Sequence, residues 1–439
     1  MRRTVTPAPL QGTLRVLPSK SASHRAVLAA SLAQGACDVA PLQLSEDIRA
    51  TIRCAQALGL LEKSEITPLG GAQEGFVSAR FAGGGARRAA GDVREADCGE
   101  SGSTLRFFMP LALDGRGAVR FTGQGRLMER PQEVYRELFA QMGAVWQDAP
   151  GQIVLRGRLR GGDWPLRGDV SSQFITGLLY ALPLCEEDST LTLLTALESS
   201  AYVTLTRRML ARFGVASEWR DERTLFIPGG QHYESPGSVS VEGDWSHAAF
   251  YLVAGAIAPD GEGVRLTGLS PDSVQGDRAV VDVLKSMGAK AYWAGDALCV
   301  CPSALHGVTI DAAQIPDLVP ALCVAACAAQ GETRIVNAGR LRIKECDRLA
   351  AMRSELSKLG ADVVELPDGL VVRGGRRLHG AAVDAWNDHR IAMALCVASA
   401  LCKGEMMLSG AESVKKSAPA FYREFESLGG MTHALDLGK

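Results

Sequence analysis

The chain has 439 residues, 46% of them hydrophobic and 22% charged, with 47 Lys and Arg nearly balancing 49 Asp and Glu. That length exceeds one ordinary core and fits two domains of about 200 residues each. The composition excludes a disordered chain, and the balanced charge excludes the basic field that nucleic-acid binding needs.

The N-terminal MRRTVTPAPLQG is basic but has no apolar core behind it, so it does not read as a secretory signal. Eleven cysteines are scattered without a CxxC pair or a His-Cys cluster at ligand spacing. They read as buried thiols in a reducing cytoplasm, with no metal site. The longest apolar runs, 318–329 and 391–402, are shorter than the roughly 20 residues a bilayer requires and are expected to be buried helices.

The first element of note is PSKSASHR, Pro18 to Arg25, which crowds Lys20, Arg25 and three serines just ahead of the apolar run RAVLAASLA. Serines there cap a helix, whose free N–H groups and dipole favour an anion. For one such segment a capped helix with solvated charges is the simpler reading. The pattern recurs, however, at Glu100, Ser171, Asp244, Asp317 and Asp388, so that successive starts lie 80, 71, 73, 73 and 71 residues apart. A period that regular is an internal repeat.

Each repeat carries a second, amphipathic helix closed by glycine, at Gly59, Gly143, Gly214, Gly288, Gly360 and Gly429. Short β-type runs such as TLRVLPS, AVRFTGQG and GLVVRGG lie between the helices. The expectation is an α/β protein of two similar domains, each of three repeated βα units with one buried and one covering helix. The stretch rich in Gly, Pro and Ser at 231–240 is the expected boundary.

The buried helices begin with unusually polar residues. Capping accounts for one Ser or Asp in each, but an Arg at a helix start opposes the dipole. Lys20, Arg25, Arg106 and Arg390 therefore call for a partner, and a bound phosphate or carboxylate is the economical one. Helices running side by side would gather such starts into one anion-attracting end per domain. RIKECDR, 342–348, adds five ionisable groups beside Cys346 at another helix start, and GQGRLMERP places Arg126 and Arg130 in a turn.

With PSKSASHR, ESGSTLR, GRLMERP, VSSQF, ESSAY, IPD, RIKECDR, NDHR and VKKSAP in order along the chain, the sequence resembles the EPSP synthase family of enolpyruvyl transferases over nearly its whole length. The resemblance implies an inverse α/β barrel-like fold with the substrate cleft between two domains that close. It implies crossings near Ser21 and Val239, giving domains of 21–239 and of 1–20 plus 240–439. The implied reaction moves the enolpyruvyl group of phosphoenolpyruvate to the 5-hydroxyl of shikimate 3-phosphate and releases phosphate. No cofactor, metal, nucleic acid or membrane is implied, and a monomeric cytoplasmic protein is expected.

Carried over residue by residue, Lys20, Ser21, Arg25, Ser171, Ser172, Gln173, Ser199, Tyr202, Asp317 and Lys344 match the family's shikimate 3-phosphate ligands. Lys20, Gly102, Arg126, Gln173, Arg348, Arg390 and Lys416 match its phosphoenolpyruvate side. Asp317 matches the base at the hydroxyl, Glu345 the carboxyl at the methylene, and Lys20 completes the catalytic set; Lys20 or Lys344 would tune such a carboxyl. Glu100 and Arg340 replace common asparagines and are left out. Two other readings are a transferase acting on UDP-N-acetylglucosamine, against which the loop GQGRLMERP lacks a cysteine, and a non-catalytic anion-binding module.

Overall fold

The computed structural model describes residues 1–73, 75–83, 93–258 and 261–435. Among them are twelve α-helices: α1 Lys20–Leu32, α2 Glu46–Ala57, α3 Gly102–Ala112, α4 Glu133–Gln141, α5 Ser172–Ala181, α6 Ser200–Arg212, α7 Trp245–Ile257, α8 Val280–Ser286, α9 Val319–Ala328, α10 Arg348–Lys358, α11 His389–Ala398 and α12 Phe421–Ser427. Odd-numbered α1 to α11 are apolar nearly all round beyond their opening turns, which are polar in α1, α5 and α11 above all, and bury most of their residues. The helices between them bury one face. Their closing glycines all take positive φ, from 69° at Gly59 to 97° at Gly288, a left-handed stop that a side chain would resist.

Two compact units form, residues 20–241 and residues 1–19 with 242–439. Each contains three four-stranded sheets of one plan: a parallel pair, then two antiparallel neighbours. In residues 20–241, Gly162–Leu166 runs parallel to Ser189–Leu193, which pairs antiparallel with Thr224–Ile227 and through it with Glu218–Trp219. Val93–Asp97 opens the equivalent sheet of the preceding repeat.

The first sheet of this unit is closed from the far end of its chain. Ser238–Ser240 pairs parallel with Ala36–Leu42. The stretch 231–240 ends in this closing strand, and the division between the two units falls just after it, between Val241 and Glu242. Tyr233 is buried and stacked on Tyr180 at 6.3 Å, and the Gly, Pro and Ser residues turn the chain into the closing strand.

The other unit is closed by the N-terminal residues in the same manner. Gly12–Arg15 runs parallel to Val264–Thr267, while Arg2–Thr6 lies between Met406–Ser409 and Met431–Leu435, antiparallel to both. Two of its three sheets are thus incomplete without residues 2–15.

Packing follows the helix pattern. The apolar helices α7, α9 and α11 pack against one another, their small Ala and Cys residues allowing close approach. In the unit of residues 20–241, α3 lies against α5. Phe107 of α3 stacks on Tyr180 of α5, and helix α1 joins them through the Tyr180 hydroxyl, which donates to the Arg25 carbonyl at 2.9 Å, and through His24, whose ring meets Phe107 edge-on at 6.3 Å. No helix among the described residues is long and apolar enough to cross a membrane.

Candidate active site

Helix α1 starts at Lys20 itself, so Ser21, Ser23 and Arg25 lie within its first two turns rather than ahead of it, as the sequence reading had them. The Lys20 ammonium meets Asp47 Oδ2 of α2 at 2.9 Å. Arg25 is buried. Its Nε donates to Thr206 Oγ1 at 2.8 Å, and its Nη2 to the Tyr202 carbonyl at 3.2 Å and Thr176 Oγ1 at 3.3 Å. Those partners bind α1 to α5 and α6 and aim the guanidinium toward Tyr202.

Arg106 sits in the second turn of α3, not at its start. Its Nη1 donates to Gln173 Oε1 at 2.8 Å, its Nη2 to the Pro131 carbonyl at 2.9 Å and its Nε to Gln132 Oε1 at 3.2 Å, while the guanidinium lies 4.6 Å from the Phe174 ring centre. Protein groups satisfy this arginine, and no bound anion is needed to explain it. Gln173 Nε2 in turn donates to Ser103 Oγ at 2.9 Å, so the opening turns of α3 and α5 are joined through one amide.

Ser171 caps α5, accepting from Gln173 N at 3.3 Å, and Ser172 is buried behind it. Ser199 takes φ 55° and ψ 42° just before α6, a conformation that costs a residue with a side chain about 1–3 kcal/mol. Tyr202 follows one turn later. Gly102 opens α3 against Arg130, where a Cβ would stand 2.6 Å from Arg130 Nη1; that space is already taken. Arg126 stands apart from these groups, its side chain 54% exposed and its Nε 3.8 Å from Glu129.

A buried chain of hydrogen bonds underlies the α3 start. His24 Nδ1 lies 2.6 Å from Thr51 Oγ1, Thr51 2.8 Å from Thr104 Oγ1, and Thr104 donates to Ser101 Oγ at 2.8 Å. Burial, with Lys20 and then Arg25 nearby, pushes His24 well below the usual histidine range and keeps it neutral.

In the other unit, Arg348 is the hub. Only 1% exposed, it places Nε 2.7 Å from Asp388 Oδ2, Nη1 2.9 Å from Asp317 Oδ1 and Nη2 2.8 Å from Glu345 Oε2. The opening turns of α10 and α11 and the 3-10 turn Pro316–Leu318 before α9 therefore meet at one guanidinium. A ligand oxygen reaches Arg348 only when Glu345 or Asp317 moves aside.

Asp317 gathers two more cations. Arg390 Nη2 lies 3.3 Å from Oδ2 and Lys344 Nζ 3.9 Å from Oδ1. Burial alone would raise its pKa, but Arg390, Lys344 and Arg348 together hold the carboxylate well below the ordinary range. Burial also draws Lys344 down to about 8, despite the opposing pull of Asp317. Lys416 Nζ donates to the Asn387 carbonyl at 2.6 Å, one residue before the α11 cap Asp388.

Sequence reasoning missed Asp277, which is buried on the turn before α8 and accepts from the Ser246 hydroxyl. Burial first, then the charge of Asp317, lifts it to about 7. QGD offers no local sign of this, since burial is created by packing and the second cause, the Asp317 carboxylate, lies forty residues away in sequence. Arg130, held behind Gly102, was passed over as a loop arginine. Arg340, left out as a departure, donates from Nη2 to the Ala313 carbonyl at 2.6 Å. Glu100 packs against Gly125, which has φ 56° and no room for a Cβ beside the Glu100 carboxylate.

The structure thus brings Asp317, Lys344, Glu345, Arg348 and Arg390 into one cluster with Lys416 bonded beside it. In the other unit Gln173 and Ser171 gather around Arg106, Tyr202 faces Arg25, and Arg126 is not drawn in. Among the described residues no group of His, Cys, Asp and Glu has the arrangement of a metal site.

Known proteins point the same way. The model of the EPSP synthase (3-phosphoshikimate 1-carboxyvinyltransferase) family matches residues 5–425. A 3-phosphoshikimate 1-carboxyvinyltransferase of Clostridium novyi is 42% identical over 99% of both chains, and one of Clostridioides difficile is 40% identical over the same shares. The solved EPSP synthase of Acinetobacter baumannii superposes with a TM-score of 0.78 at 25% identity, covering 99% of this chain and all of that one. The enolpyruvyl transferase NikO of Streptomyces tendae, 19% identical with a TM-score of 0.77 over 98% of each chain, shares the fold. With the family's model spanning the repeats and relatives this similar end to end, the chain belongs to the EPSP synthase family.

Proposed function

We propose that this chain transfers the enolpyruvyl group of phosphoenolpyruvate to the 5-hydroxyl of shikimate 3-phosphate. The observation that carries the reading is the buried cluster at Asp317, where two carboxylates of the required roles sit among three cations. Both substrates are anions with a phosphate and a carboxylate, and fixed cations are what such ligands need.

The reaction is an addition followed by an elimination. The acceptor hydroxyl oxygen bonds to C2 of phosphoenolpyruvate while the C3 methylene gains a proton. The tetrahedral product then loses phosphate from C2 and a proton from C3, which restores the double bond. Asp317 takes the hydroxyl proton, and Glu345 delivers and later removes the proton at C3.

A carboxylate held this far below its ordinary pKa is a weak base until its cations are shared. The arriving phosphate and carboxylate groups would draw on Arg390 and Lys344, and Asp317 then gains proton affinity where the hydroxyl sits. Glu345 shares Arg348 with Asp317, so the two carboxyl groups are tuned by one guanidinium.

Residues 21–239 and residues 1–20 with 240–439 are the two enolpyruvyl transferase domains, a division supported by the compact units of residues 20–241 and of 1–19 with 242–439. Lys20, Ser21, Arg25, Ser171, Ser172, Gln173, Ser199, Tyr202, Asp317 and Lys344 hold shikimate 3-phosphate. Lys20, Gly102, Arg126, Gln173, Arg348, Arg390 and Lys416 hold phosphoenolpyruvate. The protein acts as a cytoplasmic monomer on these small molecules.

The test is phosphate release from phosphoenolpyruvate in the presence of shikimate 3-phosphate, with UDP-N-acetylglucosamine as the alternative acceptor and each substrate alone as control. Release only with shikimate 3-phosphate is expected. Release only with the nucleotide sugar, or none with either, would overturn the reading.

A further inference from the structure

Glu355 lies in α10 within SELSKLG, where a covering helix is expected to show its charges to solvent. Its side chain is instead 0% exposed. Glu355 Oε1 accepts from Trp386 Nε1 at 2.8 Å and from Ser354 Oγ at 3.1 Å, and Oε2 accepts from Asp384 N at 2.9 Å. Lys358 Nζ donates to both oxygens at 2.8 Å and supplies the compensating charge.

The turn held by these bonds is strained. Trp386 and Asn387 are consecutive residues with φ 52° each, a conformation rare for a side chain as large as tryptophan. Neighbouring contacts hold it as well: Trp386 N donates to Asp384 Oδ1 at 2.6 Å, and Ala385 N to the Ser409 carbonyl at 2.9 Å. Directly after it come the Asn387 carbonyl, which accepts from Lys416, then the cap Asp388 on Arg348, then Arg390 on Asp317.

We infer that Glu355 is a positioning residue for phosphoenolpyruvate: by fixing the Asp384–Trp386 turn it sets where the Asn387 carbonyl holds the Lys416 ammonium and where Arg390 leaves the turn. The inference rests on the assignment of Lys416 and Arg390 to phosphoenolpyruvate made above. Both carboxylate oxygens are acceptors here, so an amide in place of the carboxylate sets its NH2 against either Trp386 Nε1 or Asp384 N. One donor is left facing a donor, and the turn gives way.

The experiment compares Glu355→Gln, Trp386→Phe, the double variant and Lys416→Met by KM for each substrate and by thermal melting. Glu355→Gln should raise KM for phosphoenolpyruvate about tenfold or more, as expected when a charge-assisted hydrogen bond is lost. KM for shikimate 3-phosphate should rise clearly less, because, of its proposed ligands, only Asp317, through Arg390, and Lys344, through Asp317, are tied to this turn, and the other eight belong to residues 20–241. With phenylalanine at 386 the amide can turn its oxygen to Asp384 N, so Glu355→Gln should add little further loss in the double variant.

An unchanged KM for phosphoenolpyruvate in Glu355→Gln, or equal losses for both substrates, would overturn the inference. If Glu355→Gln does not fold, Trp386→Phe decides alone: a loss clearly larger for phosphoenolpyruvate supports the role, and no loss refutes it. Lys416→Met separates the two levels. If it leaves KM for phosphoenolpyruvate untouched, the ligand assignment fails and the inference with it; if it raises that KM while Glu355→Gln does not, only the inference falls.

Discussion

Arg348 and Asp388 form a bond of 2.7 Å between a guanidinium and a carboxylate that are 1% and 0% exposed. Each is a counter-charge of the other at a point closed to water. Removing the arginine strands Asp388 and also frees Asp317 and Glu345 from their shared cation. Arg348→Met should therefore destabilise the unit holding residues 242–439 by about 3–5 kcal/mol, read from the urea midpoint of the intact chain. A midpoint within experimental error of the parent would show that the cluster does not support the fold.

Asp317→Asn and Glu345→Gln keep the shapes of the two side chains and remove their proton chemistry. Turnover should fall by about a hundredfold or more, while the dissociation constants for the substrates change by less than about tenfold. Calorimetric titration alongside steady-state rates separates the two effects. Losses lying wholly in affinity would remove both residues from the acid and base roles.

Lys344 gives the site a pH dependence. With its pKa drawn down to about 8 by burial, the ammonium is present below that pH and lost above it. Affinity for shikimate 3-phosphate should fall as pH rises through about 8, by up to tenfold per unit, with no such fall in Lys344→Arg, whose charge persists. Binding constants measured on both proteins across this range decide the point. Parallel curves would assign the dependence to another group.

Asp277 should be visible in stability. Its native pKa of about 7 lies above the ordinary 3.8, so the folded chain holds this proton more tightly than the unfolded one. The resulting stabilisation is present below pH 4 or so and is lost as pH rises through about 7. Asp277→Asn, which stays neutral, should gain on the parent as pH goes from about 5 to about 8, by of order 1 kcal/mol or more. Denaturant midpoints at the two pH values give the sign; an advantage that shrinks toward high pH would contradict the assigned environment.

What could be read before the fold was known is local. The runs of Ala, Cys and Leu behind polar starts marked all six buried helices, because a helix apolar on every side has to be interior. The glycines at 59, 143, 214, 288, 360 and 429 marked the covering helices because a left-handed stop favours that residue. The candidate site was legible as motifs but not as partnerships. Arg106 looked like an anion ligand, and its partners Gln132, Gln173 and Pro131 lie 25 or more residues away. Asp277 and Glu355 carry no sequence mark at all, since their burial and their neighbours are created by packing between repeats.

The N-terminal closure of two sheets bears on how the chain is made. Strand Arg2–Thr6 fits between Met406–Ser409 and Met431–Leu435, so it leaves the ribosome long before either neighbour exists. At ordinary rates of synthesis the wait is roughly 20 to 90 seconds. Residues 20–241 carry every strand of their own sheets and can complete their core while synthesis continues. Until the last strands arrive, the backbone groups of residues 2–6 are open to other chains, and this short arm is where a chaperone or a rapid completion of translation would matter most for yield.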